Sequence, residues 1–157
     1  MLVSRANYML TNGELGLEIE GLGMTVGVWD QDNVLENHVE FVGTFPNTNI
    51  SRVTTPDFDI EQTYGNHGTH VAGTIAAKGI RSEAKGMAPK STIISYTWGN
   101  DKAEALNEAS TNGLLISNHS YGVPAVDADG EEYLPDYYIG GYTGEANAWD
   151  ESNLLCP

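Results

Sequence analysis

The sequence has little cysteine and little positive charge. Its 157 residues include 1 cysteine, Cys156, so no disulfide can form within the chain. Only 7 Lys and Arg residues stand against 22 Asp and Glu residues, which gives a formal net charge of −15. Because phosphates and anionic lipids are bound by basic surfaces, we expect neither a nucleic acid nor a membrane as a partner.

Long apolar runs are also missing. No stretch of about 18 apolar residues occurs, so the sequence predicts no membrane span. Residues 1–5 lack the apolar segment of a signal peptide.

The excess of acidic residues is typical of a solvated surface, as in secreted or salt-tolerant proteins, and calcium binding is a second option. A chain of this length is one domain or a part of a larger one.

Three apolar segments alternate with two helical segments in the middle of the chain. The predicted strands are Met24–Trp29, Ser91–Thr97 and Leu114–Ser120. One helix is predicted at about 67–79 and a second over Asp101–Ala109, where helix formers are frequent and Gly113 supplies a stop. The alternation of strands and helices predicts an α/β fold with a parallel sheet.

The remaining segments show no regular period. Residues 1–22 are expected to form an irregular lead-in to a βαβαβ core over 24–122. Within this core, residues 31–64 look like loops, since Asn, Thr and Asp are frequent there. Residues 123–157 are rich in Gly, Asp and Tyr and are expected to be loop-rich.

Candidate functional residues stand where the predicted strands end. Asp30 ends the first strand, and Ser120, Tyr121 and Gly122 end the third. Because the carboxyl ends of parallel strands meet at one edge of the sheet, we expect these residues to lie there together. The helix that begins near His67 starts from the same edge. The pattern predicts a site that combines a carboxylate, an imidazole and a short extended segment.

The helix around His67 contains a glycine, Gly73, which costs about 1 kcal/mol relative to alanine. We expect that this cost is accepted because the helix is buried and closely packed on the face of Gly73. His70 is expected to be a partly buried structural histidine. His38 and His119 have no partner that the sequence reveals, so we interpret both as structural or surface residues.

Four segments of the chain together resemble the subtilisin-like serine protease family, peptidase S8. They are Val26–Asp30, His67–Thr74, Gly86–Pro89 and Ser117–Gly122. The order of Asp before His is also that of subtilisin. The resemblance implies a three-layer α/β/α fold with a mainly parallel sheet, of which 1–157 would be a partial catalytic domain. It also implies a serine endopeptidase that acts on proteins or peptides outside the cell.

The resemblance implies specific roles for five residues. Asp30 and His67 match the catalytic aspartate and histidine of the triad, in which the histidine transfers protons and the aspartate orients its ring. Ser120, Tyr121 and Gly122 match the segment that binds substrate by pairing with an extended peptide. No cofactor is required for this chemistry, although a structural calcium ion is an option in the family.

Two features depart from the family pattern. The family follows its aspartate with a small residue and a glycine, whereas Gln31 and Asp32 follow Asp30, so Asp32 is a competing carboxylate. The oxyanion asparagine motif and the Gly-Thr-Ser nucleophile motif are both absent from the 157 residues. Loss of the serine alone lowers the kcat of subtilisin by roughly 2 × 10⁶. We therefore expect the chain to be inactive without the remainder of the catalytic domain.

The same residues allow other interpretations. His67 and His70 do not match the zinc-protease pattern, which has a glutamate after the first histidine and a spacing of four, so no metal site is expected there. The loop Asp127–Glu132 resembles a calcium loop but lacks its first ligand, since Ala125 holds that position. A non-catalytic subtilase-like binding module, or a degenerate fragment, is the alternative function. A dinucleotide-binding module is disfavoured because no Gly-x-Gly-x-x-Gly follows a strand.

Overall fold

The structure, a computed structural model, describes residues 5–44, 47–57 and 64–121. Gly122, the loop Asp127–Glu132, Cys156 and the rest of 123–157 lie outside the described residues. In chain order the elements are β1 (Thr25–Asp30), β2 (Val42–Thr44), β3 (Asn47–Ser51), β4 (Val53–Thr54), α1 (Asn66–Ala76), β5 (Thr92–Thr97), α2 (Asp101–Asn107) and β6 (Ser117–His119).

Four strands form a parallel sheet in the order β4-β5-β1-β6. The central strand β1 pairs along its whole length with β5, from Thr25 opposite Thr92 to Asp30 opposite Thr97. On its other side β1 pairs with β6, where Trp29 stands opposite His119. Because all four strands run in the same direction, their carboxyl ends lie at one edge of the sheet.

The two helices cover opposite faces of this sheet. Side chains alternate between the faces of a strand, and Val26 and Val28 belong to the core cluster that contains Ala72 of α1. Trp29 points to the other face, where its indole Nε1 donates to Glu104 Oε2 of α2 at 2.9 Å. The expected α/β class with a parallel sheet between helices is therefore confirmed.

Local details differ from the sequence prediction at two places. The third strand is shorter than predicted, because only Ser117–His119 pair with β1. The segment 31–64, which was expected to be loops, contains the antiparallel pair β2–β3 and the strand β4 beside β5. A two-residue strand such as β4 is too short to show an alternation of apolar and polar residues. Its pairing is therefore visible only in the folded chain.

Arg52 joins three parts of the fold from a buried position. Its guanidinium donates to the carbonyl oxygens of Ser91 at 2.5 Å, Ala76 at 2.7 Å and Glu40 at 3.1 Å. Burial lowers the pKa of this guanidinium, and the Glu40 carboxylate opposes that change. Three carbonyl acceptors compensate for the desolvation of the charge, so Arg52 links the end of α1 to the loop before β5.

Glu20 anchors the segment before β1. Its carboxylate is buried and binds the ammonium groups of Lys85, at 3.2 Å, and Lys90. Burial by itself would raise the pKa of Glu20. Hydrogen bonds from Lys90, Lys85 and Thr11 outweigh this effect and lower the pKa from 4.5 to about 2. The ionised form is therefore the one that stabilises the fold.

Replacement of Glu20 by Gln is expected to change how stability depends on pH. The unfolded carboxyl binds its proton near pH 4.5 and the folded one near pH 2, so the contribution of Glu20 is complete above the first value and is lost towards the second. The difference in unfolding free energy between parent and Glu20→Gln should therefore shrink as the pH falls from 4.5 to 2. Urea denaturation at a series of pH values measures it. The matched control is Glu14→Gln at an exposed position, and a difference for Glu20→Gln that stays constant across this window would contradict the prediction.

Candidate active site

Asp30 and His67 are in direct contact at the carboxyl edge of the sheet. His67 Nδ1 lies 2.8 Å from Oδ1 and 2.9 Å from Oδ2 of Asp30. The Asp30 side chain is 2% exposed, whereas the His67 side chain is 60% exposed. The sequence prediction that these two residues share one edge therefore corresponds to a carboxylate–imidazole pair in the structure.

The carboxylate of Asp30 is fixed by its place at the end of the buried strand β1. Five of the six residues of β1, including Asp30, are buried. The backbone N–H of Gln31 donates to Asp30 Oδ1 at 2.8 Å. Because Oδ1 accepts from both Gln31 and the His67 ring, the carboxylate has one defined orientation.

The imidazole of His67 is fixed by the start of α1. Thr69 Oγ1 donates to the carbonyl oxygen of Gly65 at 2.7 Å and accepts from the backbone N–H of Leu35 at 3.0 Å. The backbone N–H of Gly65 donates to the carbonyl oxygen of Asn33 at 3.2 Å. These contacts tie the first turn of α1 to the loop that follows β1, so the helix that carries His67 is held next to the strand that carries Asp30.

Gly68, rather than Gly73, is the glycine that close packing requires. A Cβ atom on Gly68 would lie 2.6 Å from the backbone oxygen of Asp32 and 3.3 Å from Asp30 Cβ. No heavy atom outside the helix lies within 4 Å of a Cβ built on Gly73, which lines an open groove of about 470 Å³. The expectation that α1 is packed on the face of Gly73 is therefore wrong. Small residues at helical spacing, Gly68, Ala72 and Ala76, form the buried face instead.

The competing carboxylate, Asp32, lies beside a different residue. A side chain on Gly65 would collide with the carboxylate and Cβ of Asp32. The imidazole of His67 instead has both Asp30 oxygens as its partners. The geometry therefore favours Asp30 over Asp32 as the partner of the histidine.

The predicted substrate segment follows β6 at the same edge of the sheet. Ser120 is exposed and its hydroxyl donates to Asn118 Oδ1 at 2.7 Å. Tyr121 is half-buried, and its hydroxyl donates to Asp101 Oδ2 at 2.5 Å. Gly122, the third predicted member, lies outside the described residues. Ser120 and Tyr121 thus lie at the same edge of the sheet as the catalytic candidates.

Negative charge surrounds the phenol of Tyr121. Burial raises the pKa of Tyr121 well above its usual range, and the hydrogen bond to Asp101 raises it further. The carboxylates of Asp101, Glu104 and Asp30 add to the same effect through their charges. The phenol therefore stays protonated and keeps its ability to donate a hydrogen bond.

His119, interpreted from the sequence as a structural or surface residue, has partners at this edge that the sequence did not reveal. Its ring stacks on Trp29 with centroids 5.0 Å apart, and its Nδ1 lies 2.7 Å from the Tyr121 hydroxyl. Only the pairing of β1 with β6, in which Trp29 stands opposite His119, could have revealed these partners. That register was not specified by the local sequence of either strand.

The two remaining histidines lie apart from this pair. His70 is exposed rather than partly buried, so that expectation is wrong. His38 accepts a hydrogen bond from the backbone N–H of Glu40 at 3.3 Å and its ring contacts Phe41. Within residues 5–44, 47–57 and 64–121, no three His, Cys, Asp or Glu side chains are grouped as a metal site requires.

The fold and this pair define an α/β protein with a carboxylate–imidazole contact at the carboxyl edge of its parallel sheet. A model of the subtilase family, peptidase S8, matches residues 21–152. The chain belongs to the subtilase family.

Three relatives are similar over a smaller part of the chain. The minor extracellular protease Vpr of Bacillus subtilis (strain 168) is 32% identical over 98 residues, which are 58% of this chain and 12% of that protein. Two proteins of Serratia marcescens, each named extracellular serine protease, are 33% and 35% identical over 109 residues, which are 66% of this chain and 10% of each relative. The chain therefore spans about a tenth of the length of these relatives.

Alanine substitution at the two helix glycines should have opposite effects. Gly68→Ala forces a Cβ against the Asp32 backbone, so we expect a loss of about 1–3 kcal/mol in unfolding free energy, as is usual for overpacking. Gly73→Ala meets no neighbouring atom within 4 Å and should stabilise the helix by up to about 1 kcal/mol. Urea denaturation of the two variants and the parent measures both values. Equal stabilities of the two variants would show that α1 does not approach β1 as described.

Proposed function

We propose that this chain supplies the aspartate and the histidine of a serine peptidase that hydrolyses peptide bonds through an Asp-His-Ser triad. The observation that carries the proposal is the contact of 2.8 Å between Asp30 Oδ1 and His67 Nδ1. Membership of a family of serine peptidases, and the names of the three relatives, support it. A role in binding alone would not require such a pair, which disfavours the non-catalytic alternative.

In this proposal the carboxylate selects the reactive form of the imidazole. Ionised Asp30 accepts hydrogen bonds only, so the proton of the neutral ring resides on Nδ1 and leaves Nε2 unprotonated. The described part of the chain provides no hydrogen-bond partner to Nε2, and the side chain is 60% exposed. His67 Nε2 would accept the proton of the attacking serine hydroxyl and return it to the leaving amine, while Asp30 stabilises the imidazolium.

The nucleophile would come from outside these 157 residues, which contain no Gly-Thr-Ser motif. We propose that the chain is a partial catalytic domain and that the remainder of that domain is its partner. The pair of Asp30 and His67 without a serine would retain the proton-transfer geometry but form no acyl-enzyme. No cofactor takes part in this proposed chemistry.

Ser120, Tyr121 and Gly122 are proposed to bind the substrate. In the described sheet, β6 is an edge strand that pairs with β1 only, so its other side presents backbone groups. An extended peptide can add to such an edge through main-chain hydrogen bonds. The substrate class that fits is therefore a protein or peptide in extended conformation.

The place of action is proposed to be outside the cell. The three relatives are named as extracellular proteases. Among the helices of the described residues, none is long and apolar enough to cross a membrane. An excess of acidic residues, with a net charge of −15, is consistent with a well-solvated secreted protein.

His67→Ala should abolish turnover in a form of the protein that also carries the nucleophilic serine. We expect kcat to fall about 10⁶-fold, the scale of the loss when subtilisin loses its histidine. His70→Ala is the matched control, because His70 lies on the same helix, is exposed and lines the groove beside Gly73. It should retain the activity of the parent. Peptide hydrolysis assays and circular dichroism of both variants test this, and equal activity in His67→Ala and the parent would contradict the assignment.

The 157-residue chain alone is expected to show no serine-dependent hydrolysis. The purified chain should cleave an extended chromogenic peptide no faster than its own His67→Ala variant. A serine-directed fluorophosphonate probe should leave the chain unlabelled, since no serine lies in a nucleophile motif. Subtilisin provides the positive control for both assays. Cleavage that is lost after labelling of a serine would show that the nucleophile lies within this chain.

A further inference from the structure

Three aromatic rings lie side by side across the face of the sheet that carries α2. Trp29 stacks on Tyr96 of β5 with centroids 4.9 Å apart, and on His119 of β6 with centroids 5.0 Å apart. The ring planes differ by 4° and 9°. Because neighbouring strands are about 4.8 Å apart, rings at paired positions of three parallel strands stack at this spacing. The register of β1 with β5 and β6 therefore fixes the plane of the His119 ring.

The hydrogen bonds around Tyr121 define which nitrogen of His119 carries a proton. The Tyr121 hydroxyl has one proton, and it donates this proton to the Asp101 carboxylate at 2.5 Å. His119 Nδ1 lies 2.7 Å from the same oxygen and must therefore be the donor in that contact. In the neutral ring Nε2 is then unprotonated and accepts from the Ser117 hydroxyl at 3.2 Å. The order of donation is His119 to Tyr121 to Asp101.

These contacts link the end of β6 to two other elements. The Tyr121 side chain is joined to α2 through Asp101 and to β1 through the His119 ring on Trp29. The Trp98 ring also packs edge-to-face with the Tyr121 ring, with centroids 5.8 Å apart. By itself β6 is a three-residue edge strand, and such strands open easily.

We propose that His119 is a positioning residue for peptide binding: stacked on Trp29, it donates from Nδ1 to the Tyr121 hydroxyl and holds the Ser120–Tyr121 segment in place. This inference rests on the proposed function, because Ser120 and Tyr121 are the proposed substrate-binding residues. His119 touches no reacting atom in this role. It acts through the orientation of Tyr121, which Asp101 fixes from the opposite side.

Kinetics of an active form of the protein test the role in substrate binding. His119→Phe keeps an aromatic ring on Trp29 but removes the donor, and Tyr121→Phe removes the hydroxyl. We expect each change to raise KM for an extended peptide about 3- to 10-fold, the range of one neutral hydrogen bond, and to change kcat less than about twofold. The KM of the double variant should not exceed the higher KM of the two single variants, because both changes remove the contact between His119 and Tyr121.

A conservative variant separates positioning from general stability. His119→Asn places an amide N–H on the carbon that bears Nδ1 in histidine. Although it lacks the ring, its KM should therefore be closer to that of the parent than the KM of His119→Phe is. Additive losses in the double variant, or a fall in kcat with unchanged KM, would overturn the proposal. Circular dichroism measures the folded fraction of each variant. If a variant loses folded protein, the KM of folded His119→Asn decides between positioning of Tyr121 and general stability.

A measurement without turnover distinguishes failure of this inference from failure of the proposed function. In the 157-residue chain, nitrogen NMR shifts of the neutral His119 ring should show a protonated Nδ1 and an unprotonated Nε2, and Tyr121→Phe should weaken this preference. A neutral ring protonated at Nε2 would overturn the inference. Hydrolysis that does not depend on His67 would reject the proposed function, and the tautomer result would then decide on the His119–Tyr121 contact alone.

Discussion

The close approach of α1 to the end of β1 is the constraint on which the candidate site depends. Gly68 lies against the backbone of Asp32 with no room for a side chain, and His67 is the residue just before it. The contact between His67 and Asp30 can therefore form only if the first turn of the helix is this near the strand. Small residues along the same helix face, Ala72 and Ala76, continue the approach into the core.

One strand, β1, contributes side chains to both faces of the sheet at the candidate site. Val28 and Asp30 face α1, while Gly27 and Trp29 face α2. A side chain on Gly27 would collide with the Trp29 ring, so the glycine leaves the space in which that indole lies between its neighbours. A shift of β1 by one residue would exchange the faces of Asp30 and Trp29. The pair with His67 and the stack with His119 consequently depend on the same register.

The sequence predicted the parts of the fold that local patterns encode. The strands β1 and β5 are recognisable from apolar, β-branched runs, and Asp30 and His67 from their motifs and their places at the ends of elements. The sequence pattern predicts a closely packed glycine in α1 but points to Gly73, whereas Gly68 is the glycine that faces the sheet. The partners of His119 were missed because they come from β1 and from the start of α2, which are distant in sequence.

The two members of the carboxylate–imidazole pair require opposite degrees of solvent exposure. A carboxylate that is 2% exposed interacts strongly with the imidazole because little water screens it. An imidazole that is to transfer protons must remain accessible, and His67 is 60% exposed. Neither position could serve both residues. The end of a central strand is buried on both faces, and the first turn of a helix lies at the surface. The boundary between β1 and α1 therefore meets both requirements within one hydrogen bond, which explains why the candidate groups lie there rather than within either element.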